Sequence, residues 1–196
     1  DNPIWRGGKI NWLNTLFLTL TPVSAITLVM IYIWNYSYTW FDFFIFLAMA
    51  TLTGMSITAG YHRYFAHKTY ECHWLIRFFY LVFGAAALQN SAYHWASDHR
   101  YHHRHVDKEG DPYNITRGFF WAHMGWIFFS NPPGRTYHNV KDLEKDALVM
   151  WQHKYYWLIG IFACFAIPAL IGLFFDRPMG GFIWGGLFRV VFNLSL

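Results

Sequence analysis

Cysteine and charge are both scarce in this chain. The two cysteines are Cys72, in the polar central segment, and Cys164, inside an apolar run. They are not placed to meet, which excludes a disulfide-stapled scaffold. Charged residues make up 13% of the sequence, against about a quarter in ordinary soluble domains. Internal repeats, low-complexity tracts and flexible linkers are absent, as is any aromatic and basic motif of the kind that grips RNA. No nucleic-acid partner is expected, so the net charge of +4 needs another explanation.

What is there is apolar. Hydrophobic residues account for 55% and aromatic residues for 22% of 196 positions, more than a soluble core of this size requires. Leu13–Trp34 and Phe41–Gly60 contain no Lys, Arg or Glu, and only Asp42 at one edge. Each is long enough to cross the roughly 30 Å hydrocarbon layer as a helix. Tyr155–Phe175 and Gly180–Leu196 have the same character. An all-α integral membrane protein is expected, with four spanning or nearly spanning helices in two hairpins. The hairpins turn at Asn35-Tyr36-Ser37-Tyr38 and Asp176-Arg177-Pro178-Met179. The first run has no small-residue cleavage site followed by a soluble mature domain, so it reads as a retained helix rather than a removed signal.

Basic residues sit on one side of this pattern. Arg6 and Lys9 precede the first run, Arg63, Lys68, Arg77, Arg100, Arg104, Lys108, Arg117, Arg135, Lys141, Lys145 and Lys154 fill the central segment, and the first hairpin loop has none. The positive-inside bias therefore puts both termini and the central segment in the cytoplasm, at a bacterial inner membrane or the endoplasmic reticulum. Topology and anionic headgroups account for the net charge.

Histidine is the exception to the polar scarcity. In DHRYHHRH, residues 98–105, His99, His102 and His103 are three and four apart, a spacing that stacks them on one helical face. Upstream, His62 and His67 lie where the second apolar run ends. They are five apart, about 140° around an ideal α-helix, so they share a centre only if the helix frays or they straddle a metal. Imidazole is the commonest nitrogen ligand for iron, zinc and copper, and five such groups exceed the need of one zinc, so a two-metal site is the natural reading. Both groups must then lie on one side of the membrane. Trp74–Ala92 between them cannot simply cross it and is expected as an in-plane amphipathic helix. His94 and His105 flank the triplet as lesser candidates, and His73, His123, His138 and His153 read as interfacial or hydrogen-bonded side chains. Asp107–Pro112 lacks calcium-loop spacing and reads as a solvated turn, the alternative being a carboxylate that holds an imidazole tautomer. Ala50, Gly54 and Thr58 share a face, which suits either close helix packing or room for an acyl tail.

The segments HRYFAH, QNSAYHWASDHRYHH, DPYN, RGFFWAHMGW and DLEKDALVMWQHKYY together resemble the membrane-bound acyl-CoA Δ9 desaturases of the stearoyl-CoA desaturase type, from about Thr58 onward. That resemblance implies a single membrane desaturase domain with two iron ions and dioxygen as co-substrate, making a cis double bond in a long saturated acyl chain. Only a redox metal oxidant can act on an unactivated methylene, which offers neither an acidic proton nor an electrophilic carbon. By the resemblance, His62, His67, His99, His102 and His103 are metal ligands. Trp95, Gln89 and Asn90 line the acyl or thioester end of a tunnel and Arg117 meets the carrier's phosphates; the small Ala50 and Gly54, on the acyl-tail reading of their face, would give the tunnel depth. The substrate would be an acyl-CoA, with an acyl carrier protein or acyl lipid as alternatives because Ser91, His94 and Ser97 stand where animal relatives carry charge. Electrons would come from cytochrome b5, ferredoxin or rubredoxin, drawn to a basic surface of Arg100, Arg104, Lys108, Arg135 and Lys141. The family's third histidine box is expected beyond Leu196, in a C-terminal part of the intact protein. A fatty-acid hydroxylase or alkane monooxygenase is the nearest rival, and a metal transporter a remote one.

Overall fold

The computed structural model describes residues 9–108, 110–129 and 136–194. Among them there is no strand, only an isolated bridge between Ile10 and Phe129. Three helices are long and apolar enough to cross a membrane: α1 (Trp12–Asn35), α2 (Trp40–Ala66) and α7 (Tyr156–Leu173). The fourth expected span, α8 over 178–194, is helical but shorter. Between α2 and α7 lie α3 (Trp74–Ala86), α4 (Ala92–His105), α5 (Phe119–His123) and α6 (Ala147–Lys154), joined by short helical turns.

The outward faces of the spans are greasy: Leu13, Leu20, Ile26 and Met30 of α1, and Trp157, Leu158 and Phe162 of α7, are all exposed. An apolar belt of this size on helices long enough to cross a bilayer suits lipid. Both hairpin turns fall at one end, where the buried Asp42 joins them. Its carboxylate accepts from Tyr32 Oη (2.9 Å), from the Thr39 N–H (2.9 Å) and from Arg177 Nη1 (3.1 Å), and Arg177 also donates to Ser37 O (2.9 Å). The charge at the edge of the second run is thus a helix N-terminal carboxylate and an ion pair at once.

At the other end, α3 and α4 close over α2. With 13 residues, α3 is roughly 20 Å long and too short to cross; its C-terminal half buries Leu81, Gly84, Ala85 and Ala86. Tyr61, Phe65, Leu81, Ala92, Tyr93, Ala96, Val140 and Val149 form one buried cluster drawn from α2, α3, α4, α6 and the helical turn at His138–Val140. Gln152 ties it together, donating to Tyr61 Oη (2.6 Å) and accepting from the Ala92 N–H (3.1 Å). In α8 the cation Arg189 is fully buried and donates to Gly185 O (3.2 Å), Ala86 O (2.9 Å) and Cys164 Sγ (3.1 Å). It satisfies a carbonyl at the C-terminus of α3, which needs a partner in an apolar setting.

Candidate metal centre

The last part of α2, Ser56–Ala66, is a π-helix. The His67 N–H donates to His62 O at 3.0 Å, a bond spanning five residues. This wider winding turns residues five apart toward one side, so His62 and His67 meet with ring centroids 4.6 Å apart. Neither fraying nor a bound ion is needed to bring them together.

Helix α4 supplies the other half, capped by Ser91, whose Oγ accepts from the His94 N–H (3.3 Å). One nitrogen from each of His62, His67, His99 and His103 lies within 4.8 Å of the others. His99 is central: its Nε2 is 2.9 Å from that of His67 and 3.0 Å from that of His103. Each neutral imidazole has one proton for two nitrogens, so an Nε2 here either donates to its neighbour or, with its proton on Nδ1, turns a lone pair toward the shared centre. Burial, and the neighbouring His62, His103, His67 and His102, push the His99 pKa down to about 3, so its ring is an uncharged donor at neutral pH. Four imidazole nitrogens gathered at one centre suit a borderline metal ion such as iron, zinc or copper.

His102 stands outside this quartet. Its Nδ1–H donates to Asp111 Oδ1 (2.8 Å) and its ring lies 4.6 Å from that of Tyr113. Asp111 is buried and fixed in turn by the N–H groups of Tyr113 (3.1 Å) and Asp107 (3.0 Å). The solvated-turn expectation is therefore corrected at Asp111: it is an internal acceptor that sets the His102 tautomer and leaves Nε2 as the donor. His105 bonds to Tyr101 O (2.9 Å) and lies outside the quartet.

The expected substrate residues are spread over the site. Trp95 stacks on His99 (4.9 Å, 24°) and meets His62 edge-on (6.2 Å). Gln89 and Asn90 lie in the turn between α3 and α4. Asn90 lines a cavity of about 430 Å³ with Ser91, His94, His153, Lys154 and Tyr156. Gly54 faces open space, since a Cβ there would meet nothing within 4 Å, and Ala50 is half-buried. Arg117 is exposed, its guanidinium 3.7 Å above the Trp121 ring, and does not line the Asn90 cavity.

The basic surface is corrected at Arg100. That side chain points inward, bonding Phe65 O (2.8 Å), Ala66 O (2.9 Å), Asn139 O (2.7 Å) and both oxygens of Asp142 (2.7 and 3.0 Å). Arg104, Lys108 and Lys141 are exposed, and Arg135 lies outside the described residues.

No family model matches the chain. Among curated proteins, it is 43% identical over 139 residues to acyl-CoA desaturase 1 of Saccharomyces cerevisiae, covering 70% of this chain and 27% of that protein. To a probable acyl-CoA desaturase of Schizosaccharomyces pombe it is 35% identical over 190 residues, 96% of this chain and 38% of the relative. To the stearoyl-CoA desaturase of Homo sapiens it is 36% identical over 143 residues, 70% of this chain and 37% of the relative. The chain spans less than half the length of these relatives. The aligned portion is enough to place it: by sequence, this chain belongs to the acyl-CoA desaturase family.

Proposed function

We propose that the protein is an oxygen-dependent acyl desaturase that introduces a cis double bond, at the Δ9 position, into a long saturated acyl-CoA. The observation that carries this reading is the convergence of His62, His67, His99 and His103 within 4.8 Å at the head of the apolar spans. His102, held by Asp111, adds a fifth imidazole beside them. Iron held by these side chains would supply the oxidant for an unactivated methylene pair. Two hydrogens leave the acyl chain, two electrons arrive from a redox partner and two protons from solvent, and dioxygen becomes two waters.

The chain's own residues position the substrate. Trp95 walls the histidine site on one side. The open face at Gly54 lets the methyl end run down along α2, and the cavity at Asn90, His94 and His153 lies one to two turns of α4 from His99, where a thioester head would sit. The acyl-CoA assignment rests on the relatives' names. Arg104, Lys108 and Lys141 form the remaining docking surface for cytochrome b5, ferredoxin or rubredoxin. The positive-inside bias assigns this face to the cytoplasm.

The decisive measurement is iron analysis of the purified intact protein, with chromatography of its products from a saturated acyl-CoA. Two irons per chain and a cis-monoene are expected. An alcohol product would transfer the site to the hydroxylases, and iron-free protein with full turnover would end the reading. Two variants refine it. Gly54→Phe is expected to shift preference toward shorter acyl chains, read from the product spectrum of a mixed-length substrate pool; an unchanged spectrum would remove Gly54 from the tunnel. Asp111→Ala is expected to weaken metal retention about 10- to 100-fold in a chelator competition, with Asp111→Asn recovering part of it because an amide oxygen still accepts from Nδ1–H.

A further inference from the structure

Among the described residues, α5 and the turn before it carry an apolar surface outside the spans, as does the start of α3 at Trp74 and Leu75. Ile115, Phe119 and Phe120 are 49%, 76% and 65% exposed, and the last two are neighbours on α5. Burying a phenylalanine is favourable, and two adjacent rings left in water forgo that gain unless another medium receives them.

The inner side of α5 is firmly held. Trp121 Nε1 donates to Pro112 O (3.1 Å), and the Trp121 ring lies 5.4 Å from that of Phe129. Phe129 bridges to Ile10, the Asn11 N–H donates to Phe128 O (2.8 Å), and Asn14 Nδ2 donates to Ile127 O (2.9 Å). One ring contact therefore fastens α5 to the first turn of α1. There Trp12 and Leu13, each 65% exposed, begin the lipid-facing belt. This contact chain places α5 beside the start of that belt. The polar neighbours of its rings suit a headgroup layer: the His123 ring lies parallel to Phe119 (5.6 Å, 7°), and Arg117 covers Trp121 (3.7 Å).

We propose that Phe119 and Phe120 form a wedge that enters the lipid layer beside the head of α1 and anchors the cap to the bilayer. Phenylalanine at the acyl boundary, with arginine and histidine at the phosphates, is the chemistry of an interfacial anchor. The anchor bears on the site through a short path. Trp121 holds Pro112, and the preceding residue, Asp111, holds His102. The inference rests on the apolar spans being in a bilayer, and is independent of the metal and the reaction.

The test uses the intact protein in phosphatidylcholine nanodiscs, with a benzophenone amino acid at position 119 and, as a control, at the exposed Lys141. After illumination, mass spectrometry is expected to find phospholipid adducts on the peptide carrying position 119 and none at 141. Adducts to another segment of the chain or to a second copy, or no adduct at 119, would overturn the proposal. A nitroxide attached through Phe120→Cys gives a second measurement: relaxation by dissolved oxygen should exceed that by a water-soluble nickel chelate, and the reverse order would also overturn it. Neither readout depends on iron or on product, so failure here leaves the desaturase reading intact.

Discussion

Arg100→Met is expected to lower stability by about 3 kcal/mol and to strip the protein of most of its metal. Arg100 follows His99 by one residue, about 100° around α4, so it points away from the histidines while sharing their backbone. Its guanidinium binds the last carbonyls of the π-helical turn, Phe65 and Ala66, immediately before His67. The same group grips Asp142 with two nitrogens, and Lys68 reaches that carboxylate at 2.9 Å. One planar fork thus holds the segment bearing His62 and His67 against the helix bearing His99 and His103. Without it, three carbonyls, of Phe65, Ala66 and Asn139, lose this donor and Asp142 keeps only Lys68 in a half-buried site, a larger loss than that of a surface ion pair.

The lysine variant separates charge from geometry. An ammonium keeps the charge but cannot reproduce a planar two-point contact plus carbonyl bonds, so Arg100→Lys should fall between wild type and Arg100→Met in melting temperature and in metal retained after gel filtration. Acid adds a third readout. Burial alone would raise the Asp142 pKa, but hydrogen bonds from Arg100 and Lys68 hold it well below the usual carboxylate range. A depressed carboxylate contributes stability that is present above its unfolded pKa and lost as pH falls through the folded value. The methionine variant should therefore lose less stability than wild type between neutral pH and pH 3. Equal stability and equal metal content in all three proteins would show that the fork does not hold the two histidine segments together.

The difference between Arg100 as a surface charge and Arg100 as an internal clamp shows what a residue pattern carries. Long uncharged runs declare spans because lipid tolerates little else, and the π-stretch and buried Arg189 do not disturb that pattern. That the stretch between the histidine groups does not cross was legible, because both groups had to lie on one side; that its helix stops at Ala86 and turns at Gln89 and Asn90, rather than running to Ala92, was not. The quartet itself required backbone information. Five-residue spacing looks wrong on an α-helix and fits only once the His67 N–H bonds to His62 O, a register that no side-chain period reveals. Asp111 was hidden for a related reason: Gly-Asp-Pro looks like any polar turn until Tyr113 and Asp107 fold their N–H groups back onto the carboxylate. Charge is visible in a sequence, whereas the partner that buries it is not.

The seat of α3 on α2 gives the other large effect, and Gly84→Val is expected to destabilise the protein by about 3 kcal/mol while loosening the histidine site. A Cβ at position 84 would lie 2.3 Å from Tyr61 Cε1 and 2.6 Å from Cζ. That ring cannot swing aside cheaply: Tyr61 is fully buried, its Oη accepts from Gln152 (2.6 Å), and it packs edge-on to Trp95 at 6.0 Å. Two outcomes remain, and both cost affinity for metal. Either α3 lifts off, or Tyr61 shifts together with its neighbour His62 and with Trp95, which backs His99. Gly84→Ala should lie in the same direction with smaller size, although alanine favours a helix by up to about 1 kcal/mol over glycine. Gly54→Ala makes the same backbone change in open space, and should be neutral or slightly stabilising by that propensity alone. Thermal melting of the three variants, with chelator competition for bound metal, separates contact from propensity. If Gly84→Ala were as stable as Gly54→Ala, the close approach of α3 to Tyr61 would not be what seats the cap over the histidines.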